Sequence, residues 1–143
     1  MKTNFKVIHI GSFIRKRIDE LNLKEDRLLN FFNCTSENLE RMYEAQSLDT
    51  EILLKWSKIL EYDFFRIYTQ HLILYAPPAK EEDNASKEVK TLMPQFRKNI
   101  YTKEIIEFIL DLVSKGEKTK AEVIREYRIP KTTLYKWIEK YQS

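Results

Sequence analysis

The run KTKAEVIREYRIPKTTLYKWIEKY, Lys118 to Tyr141, leaves little choice of local structure. Leu134, Trp137, Ile138 and Tyr141 recur at i, i+3, i+4 and i+7, the period of one apolar face of an α-helix. Pro130 suits the first turn of that helix, where a missing N–H breaks no bond. Upstream, Val123, Ile124 and Tyr127 mark the inward side of a shorter helix over Lys120 to Tyr127. Tyr127-Arg128-Ile129-Pro130 is left as a tight turn between the two.

Opposite the apolar stripe lie Thr132, Tyr135, Lys136, Glu139 and Lys140, with Lys131 at the N-terminal end. A short helix with a Lys/Thr/Tyr outer face fits the major groove of duplex DNA. Lysines meet phosphates or guanine edges, hydroxyls bond to phosphate or base, and the helix N-terminus offers free amides. A solvated basic face on a small helical domain fits the same spacing and charge equally well.

The pattern T-x-x-E-V-x-x-x-Y-x-I-P-x-x-T-L-Y-x-W-I-x-K-Y resembles the helix-turn-helix of transposase-related proteins, particularly the first-frame proteins of insertion sequences. The resemblance is confined to the end of the chain. It implies that the second helix is the recognition helix, with Lys131, Thr132, Thr133, Tyr135, Lys136 and Lys140 facing double-stranded DNA.

Two glycines and four prolines in 143 residues suit a mostly helical chain, and 43% hydrophobic residues suffice for a core. A lone Cys34 excludes an internal disulfide framework and a cysteine-based zinc site. It reads as a small hydrophobe in a turn. No apolar run approaches the ~20 residues that span a bilayer. The first residues, MKTNFKVIHIGSFIRKR, lack a long apolar stretch and a small-residue cleavage site, so the expectation is a cytoplasmic protein with no membrane partner. Charge is uneven. Residues 1–75 hold 11 cations and 11 anions, whereas 76–143 hold 14 and 11, which is the whole net charge of +3. Any polyanion is therefore expected at the C-terminal end.

The periodicity predicts an all-α fold: two helix-turn-helix-type domains joined by a polar linker. Helices are expected over Ile10–Leu21, Lys24–Phe32, Ser36–Glu44, Thr50–Leu60 and Phe64–Tyr75, with Thr35 or Ser36 and Asp49 or Thr50 as N-caps. Phe13, Ile14, Ile18, Leu21, Leu28, Leu29, Phe32, Leu53, Leu54, Trp56, Ile59 and Leu60 are the expected apolar faces. Ala76-Pro77-Pro78 ends the fifth helix. Domain boundaries follow as 1–76 for a five-helix domain, 77–99 for the linker and 100–143 for a three-helix unit. Residues 79–91 are charged, small and aperiodic. Leu92 to Asn99 is short and partly basic, fit either to pack on the next helix or to lie along a ligand. Thr102 caps a helix running to about Lys115 that turns Ile105, Ile106, Ile109, Leu112 and Val113 inward, and Gly116 stops it.

In the first half, I-G-x-x-I-R…L-x-x-x-x-L-L…T-x-x-L-L-K-x-S-K-I-L-x-x-D-F-F resembles the Cro/phage-repressor helix-turn-helix family over Ile10 to Tyr68. The resemblance implies that the third helix, Ser36 to Glu44, enters the major groove. Ser36, Asn38 and Arg41 are then secondary DNA-binding candidates, with Arg15, Lys16 and Arg17 on phosphates. The chain departs from that pattern in two ways. Glu25 and Leu29 stand at the family's glutamine and small-residue positions. The outer face of the third helix shows Glu37, Glu40 and Glu44 against Arg41, before a duplex carrying one charge per ~1.7 Å. Charge thus favours a protein–protein role for this half, with the apolar Phe64–Tyr75 helix as a homodimer surface. Closing its own core explains the same helix as well.

No glycine-rich phosphate loop fits a chain whose glycines are Gly11 and Gly116, and His9 and His71 are isolated. Neither catalysis, a cofactor, a metal site nor a small-molecule substrate is expected. The expected function is sequence-specific double-stranded DNA binding as a transcriptional regulator. Its alternatives are a first-frame transposase subunit that recognises insertion-sequence ends, and an interaction module that binds no DNA.

Overall fold

A computed structural model describes residues 3–76, 91–95 and 101–142. The fold is all-α: eight helices and no strand occur among the described residues. They are α1 (Ile10–Leu21), α2 (Glu25–Phe32), α3 (Ser36–Glu44), α4 (Thr50–Ile59), α5 (Phe65–Tyr75), α6 (Lys103–Ser114), α7 (Lys120–Tyr127) and α8 (Lys131–Gln142). None among these residues is long and apolar enough to cross a membrane. The chain divides into two compact units, Asn4–Tyr68 and Thr69–Ser143 with the first three residues. That division falls inside α5, eight residues before the expected domain end at 76. The expected linker lies largely outside the described residues. Thr91–Gln95, the part of it that is described, is exposed, and Leu92 and Met93 do not pack on a helix.

Polar side chains cap the starts of α1, α3 and α4, whereas Lys24 at the start of α2 makes no such bond. The His9 Nδ1 accepts the Ser12 N–H at 3.1 Å, Thr35 Oγ1 accepts that of Asn38 at 3.3 Å, and Asp49 Oδ1 that of Glu51 at 2.8 Å. Each satisfies a donor that a helix end leaves open. Asn22 and Asn33 end α1 and α2 in the left-handed region, at φ 51° and 49°. Ile10, Ile14, Leu28, Leu39, Trp56 and Leu60 fill the core. The Trp56 ring lies 4.3 Å from that of Phe32, and its N–H reaches the Met42 sulfur at 3.3 Å. Burial of that size contributes roughly 3 kcal/mol, so Trp56 is the largest single anchor.

Two expected core positions lie elsewhere. Leu21 and Leu54 are exposed, Leu54 in a shallow surface hollow with Tyr62 and Phe65. Phe64, just before α5, and Ile67, Gln70 and Leu74 on it are buried within the chain. Part of the face offered for a homodimer is therefore covered within the chain, and Phe65, Tyr68 and Ile73 are half-buried. Leu72 and Tyr75 remain exposed.

In the second unit α6, α7 and α8 pack pairwise around Ile105, Ile109, Val123, Ile129, Leu134 and Trp137. Thr102 caps α6 through the Ile105 N–H, and its own N–H and hydroxyl reach the Gln70 Oε1 at 3.4 and 3.2 Å. Gly116 follows α6 at φ 71°, and the Glu117 N–H returns to the Leu112 carbonyl at 3.0 Å. Tyr101 stacks edge-on to Trp137 at 4.9 Å.

Candidate nucleic-acid interface

Three residues separate α7 from α8, and each has a distinct job. Arg128 ends α7 in the left-handed region at φ 54°, a conformation more usual for glycine or asparagine. Ile129 is buried and plugs the junction into the core. Pro130 precedes α8, and its carbonyl accepts the Leu134 N–H at 3.1 Å. The proline thus stands one step before the first helical residue that the sequence suggested for it. Leu134 and Trp137 are buried, whereas Tyr141, expected in the stripe, is about half exposed at the frayed end.

Anchoring by Leu134 and Trp137 fixes which side of α8 faces outward. Lys131, Thr132, Tyr135, Lys136 and Lys140 are exposed, and Thr133 is half-buried. All six expected contact residues therefore lie on one short helix, with Thr133 set deepest. Among the described residues no ion pair engages Lys131, Lys136 or Lys140. The first turn of α8 carries no acidic residue, so its positive end is not offset locally.

Two cations converge on Tyr135. The Lys131 Nζ lies 5.6 Å from the ring centroid, and the Lys120 Nζ, from the first turn of α7, lies 5.2 Å from it. Lys120 was invisible to sequence reasoning, since only the crossing of α7 and α8 brings the two positions together. The other lysine near this end of α7, Lys118, is engaged by Glu126, and that hydrogen bond holds its ammonium above the ordinary lysine range. The α7 N-terminus is closed by a capping box. Thr119 Oγ1 accepts the Glu122 N–H at 3.2 Å, and Glu122 Oε2 accepts the Thr119 N–H at 2.7 Å.

The exposed side of α6 has the opposite sign. Glu104, Glu107, Asp111 and Glu117 line an open cavity of about 500 Å³ with Thr3, Phe108, Leu112 and Lys115. Lys103 and Lys115 partly offset it, at 3.7 Å from Glu107 and 3.8 Å from Asp111. The three-helix unit is thus electrically polarised, with Lys120, Lys131, Lys136 and Lys140, which enter no ion pair among the described residues, on α8 and the start of α7.

In the first unit the arginines around α3 are engaged, whereas Lys24, Arg27, Lys55 and Lys58 are exposed and enter no ion pair among the described residues. Arg41 is held by Glu37 at 2.8 Å, Arg15 by Glu40 at 3.5 Å, and Arg17 by Glu20 at 3.1 Å and the Leu60 carbonyl at 3.2 Å. Lys16 lies over the Phe13 ring at 5.7 Å. Exposed pairs of this kind are weak, up to about 1 kcal/mol, and open readily. Opening them still leaves Glu37, Glu40 and Glu44 against Arg41 on α3. Ser36 and Asn38 are exposed at the start of that helix, where the Asn38 N–H is taken by Thr35. Tyr43 lies beneath Arg15, whose guanidinium carbon is 5.3 Å from the ring. Burial first, then the Glu40 and Glu25 carboxylates, push its phenol up to about 12.

Among the described residues no group of His, Cys, Asp or Glu is arranged to hold a metal ion. No protein-family model, curated protein or solved structure matches the chain.

Proposed function

We propose that the protein binds double-stranded DNA through the outer face of α8, without catalysis, as a sequence-specific transcriptional regulator. One observation carries the reading. Lys131, Lys136 and Lys140 share an exposed helix and have no carboxylate partner among the described residues, while Arg41 on α3 and Arg15 beside it are paired with Glu37 and Glu40. Cations left without internal partners are what a polyelectrolyte contact needs. Lys131, Lys136 and Lys140 bind phosphates, the Tyr135 hydroxyl joins them there, and Thr132 meets base edges. Thr133, half-buried, is the least accessible of the six. Ser36, Asn38 and Arg41 contribute little, because α3 presents net negative charge.

Gel-shift titration of the full chain on a random duplex, across a series of salt concentrations, tests this. Binding should weaken steeply with salt. Replacing Lys131, Lys136 and Lys140 by Ala should flatten the log–log salt slope by about 2.7 and weaken binding a few hundred-fold near ~0.1 M salt. Failure of the unaltered chain to bind any duplex at low salt overturns the proposal.

A further inference from the structure

We infer that Lys120, Lys131 and Tyr135 together hold one backbone phosphate of the bound duplex, extending the interface from α8 onto the first turn of α7. The inference rests on the DNA-binding reading above. It adds a residue, and a second helix, that the outer face of α8 does not contain.

Two ammonium groups sit within 6 Å of one ring, at 5.2 and 5.6 Å from its centroid. They come from different helices and repel one another. The ring's negative π-faces attract each of them, and both side chains are long and exposed enough to reach a common anion beside the ring. Among the described residues no carboxylate pairs with either of them. Glu122, the acid nearest in sequence on α7, is already committed. Its carboxylate accepts the Thr119 N–H, and that bond, with the Thr119 side chain, the Lys118 and Arg125 charges, holds it below the ordinary carboxylate range. Lys120 takes no part in that group. Tyr135 is 44% exposed, and its phenolic hydroxyl can donate to an external acceptor. Two converging cations, a phenolic donor and no internal anion make a site for an external oxyanion with several acceptor oxygens. A phosphodiester is that group, and its bonds to ammonium are charge-assisted. The capping box takes up two amides at the start of α7, those of Thr119 and Glu122.

The full chain is titrated on a random duplex at several salt concentrations, beside Lys120→Ala, Lys120→Gln, Lys120→Arg and Tyr135→Phe, with thermal melts confirming that each variant is folded. Loss of one phosphate contact should flatten the log–log salt slope by about 0.9 in Lys120→Ala and Lys120→Gln, and weaken binding about 8-fold near ~0.1 M salt. Lys120→Arg should keep the slope. Tyr135→Phe should keep it as well but bind several-fold more weakly, because the ring stays and the donor goes. If the Lys120 variants match the unaltered chain in slope and affinity while the α8 lysine variant loses both, this inference fails and the DNA-binding reading stands. If the unaltered chain binds no duplex, both fall.

Discussion

Gly11 lies where the first turn of α1 passes under the end of α3. A methyl group built there would stand 2.2 Å from the Tyr43 carbonyl oxygen and 2.5 Å from that of Met42. Backbone atoms, unlike side-chain ends, cannot swing aside. The same approach lets the Ile10 and Gly11 amides donate to the Gln46 and Ala45 carbonyls, at 3.1 and 3.0 Å. Gly11→Ala should therefore cost about 3 kcal/mol or more in denaturant unfolding, since two helices must separate to admit one carbon. Gly116 is the opposite case. Its φ of 71° favours glycine, but nothing lies within 4 Å of the added carbon. Gly116→Ala should cost only about 1 kcal/mol, the strain of the left-handed backbone. A Gly116→Ala protein less stable than Gly11→Ala would contradict this. The sequence made Gly116 legible because a helix stop is local. It concealed Gly11, whose partners are over thirty residues away, just as it concealed Lys120.

The helices themselves were largely readable, because period and caps are written in neighbouring residues. α1, α3 and α7 have the expected bounds, and Thr35, Asp49 and Thr102 cap as their short polar side chains suggest. Ile129 was missed as a core residue, since a lone apolar residue in a turn has no period to announce it. At this scale α7 carries a pH-dependent feature. Glu122 has a carboxyl held below the ordinary value of 4.5 by the backbone and hydroxyl of Thr119. A depressed value means that the folded form favours the ionised acid, so its stabilisation is present above the unfolded value. It is lost as pH falls through the folded value, in the region below 4.5. Thr119→Ala should cost about 1 kcal/mol at neutral pH, read by thermal melting. Glu122→Gln keeps the hydrogen bond but cannot titrate. It should lose less stability than the unaltered chain on acidification, and equal losses in the two proteins would remove Glu122 from the account.

On the scale of the whole molecule, charge and architecture follow different divisions. The net positive charge lies in the second half of the sequence, as the residue counts indicate. The structural divide falls at Tyr68/Thr69, in the middle of α5. Composition places a break at the charged stretch after Pro78. It cannot register that the Gln70 side chain, 3% exposed, receives the start of α6, or that Leu74 is buried. A fragment of residues 69–143 should accordingly melt cooperatively, whereas residues 100–143 should show a broad, low transition by circular dichroism. Equal melting of the two would mean that the last turns of α5 are dispensable. The second unit is thus a head that cannot be lifted off at the obvious seam. Any fusion or transplant of it has to bring along Thr69 to Tyr75, a short stub of its neighbour's last helix that doubles as its own foundation.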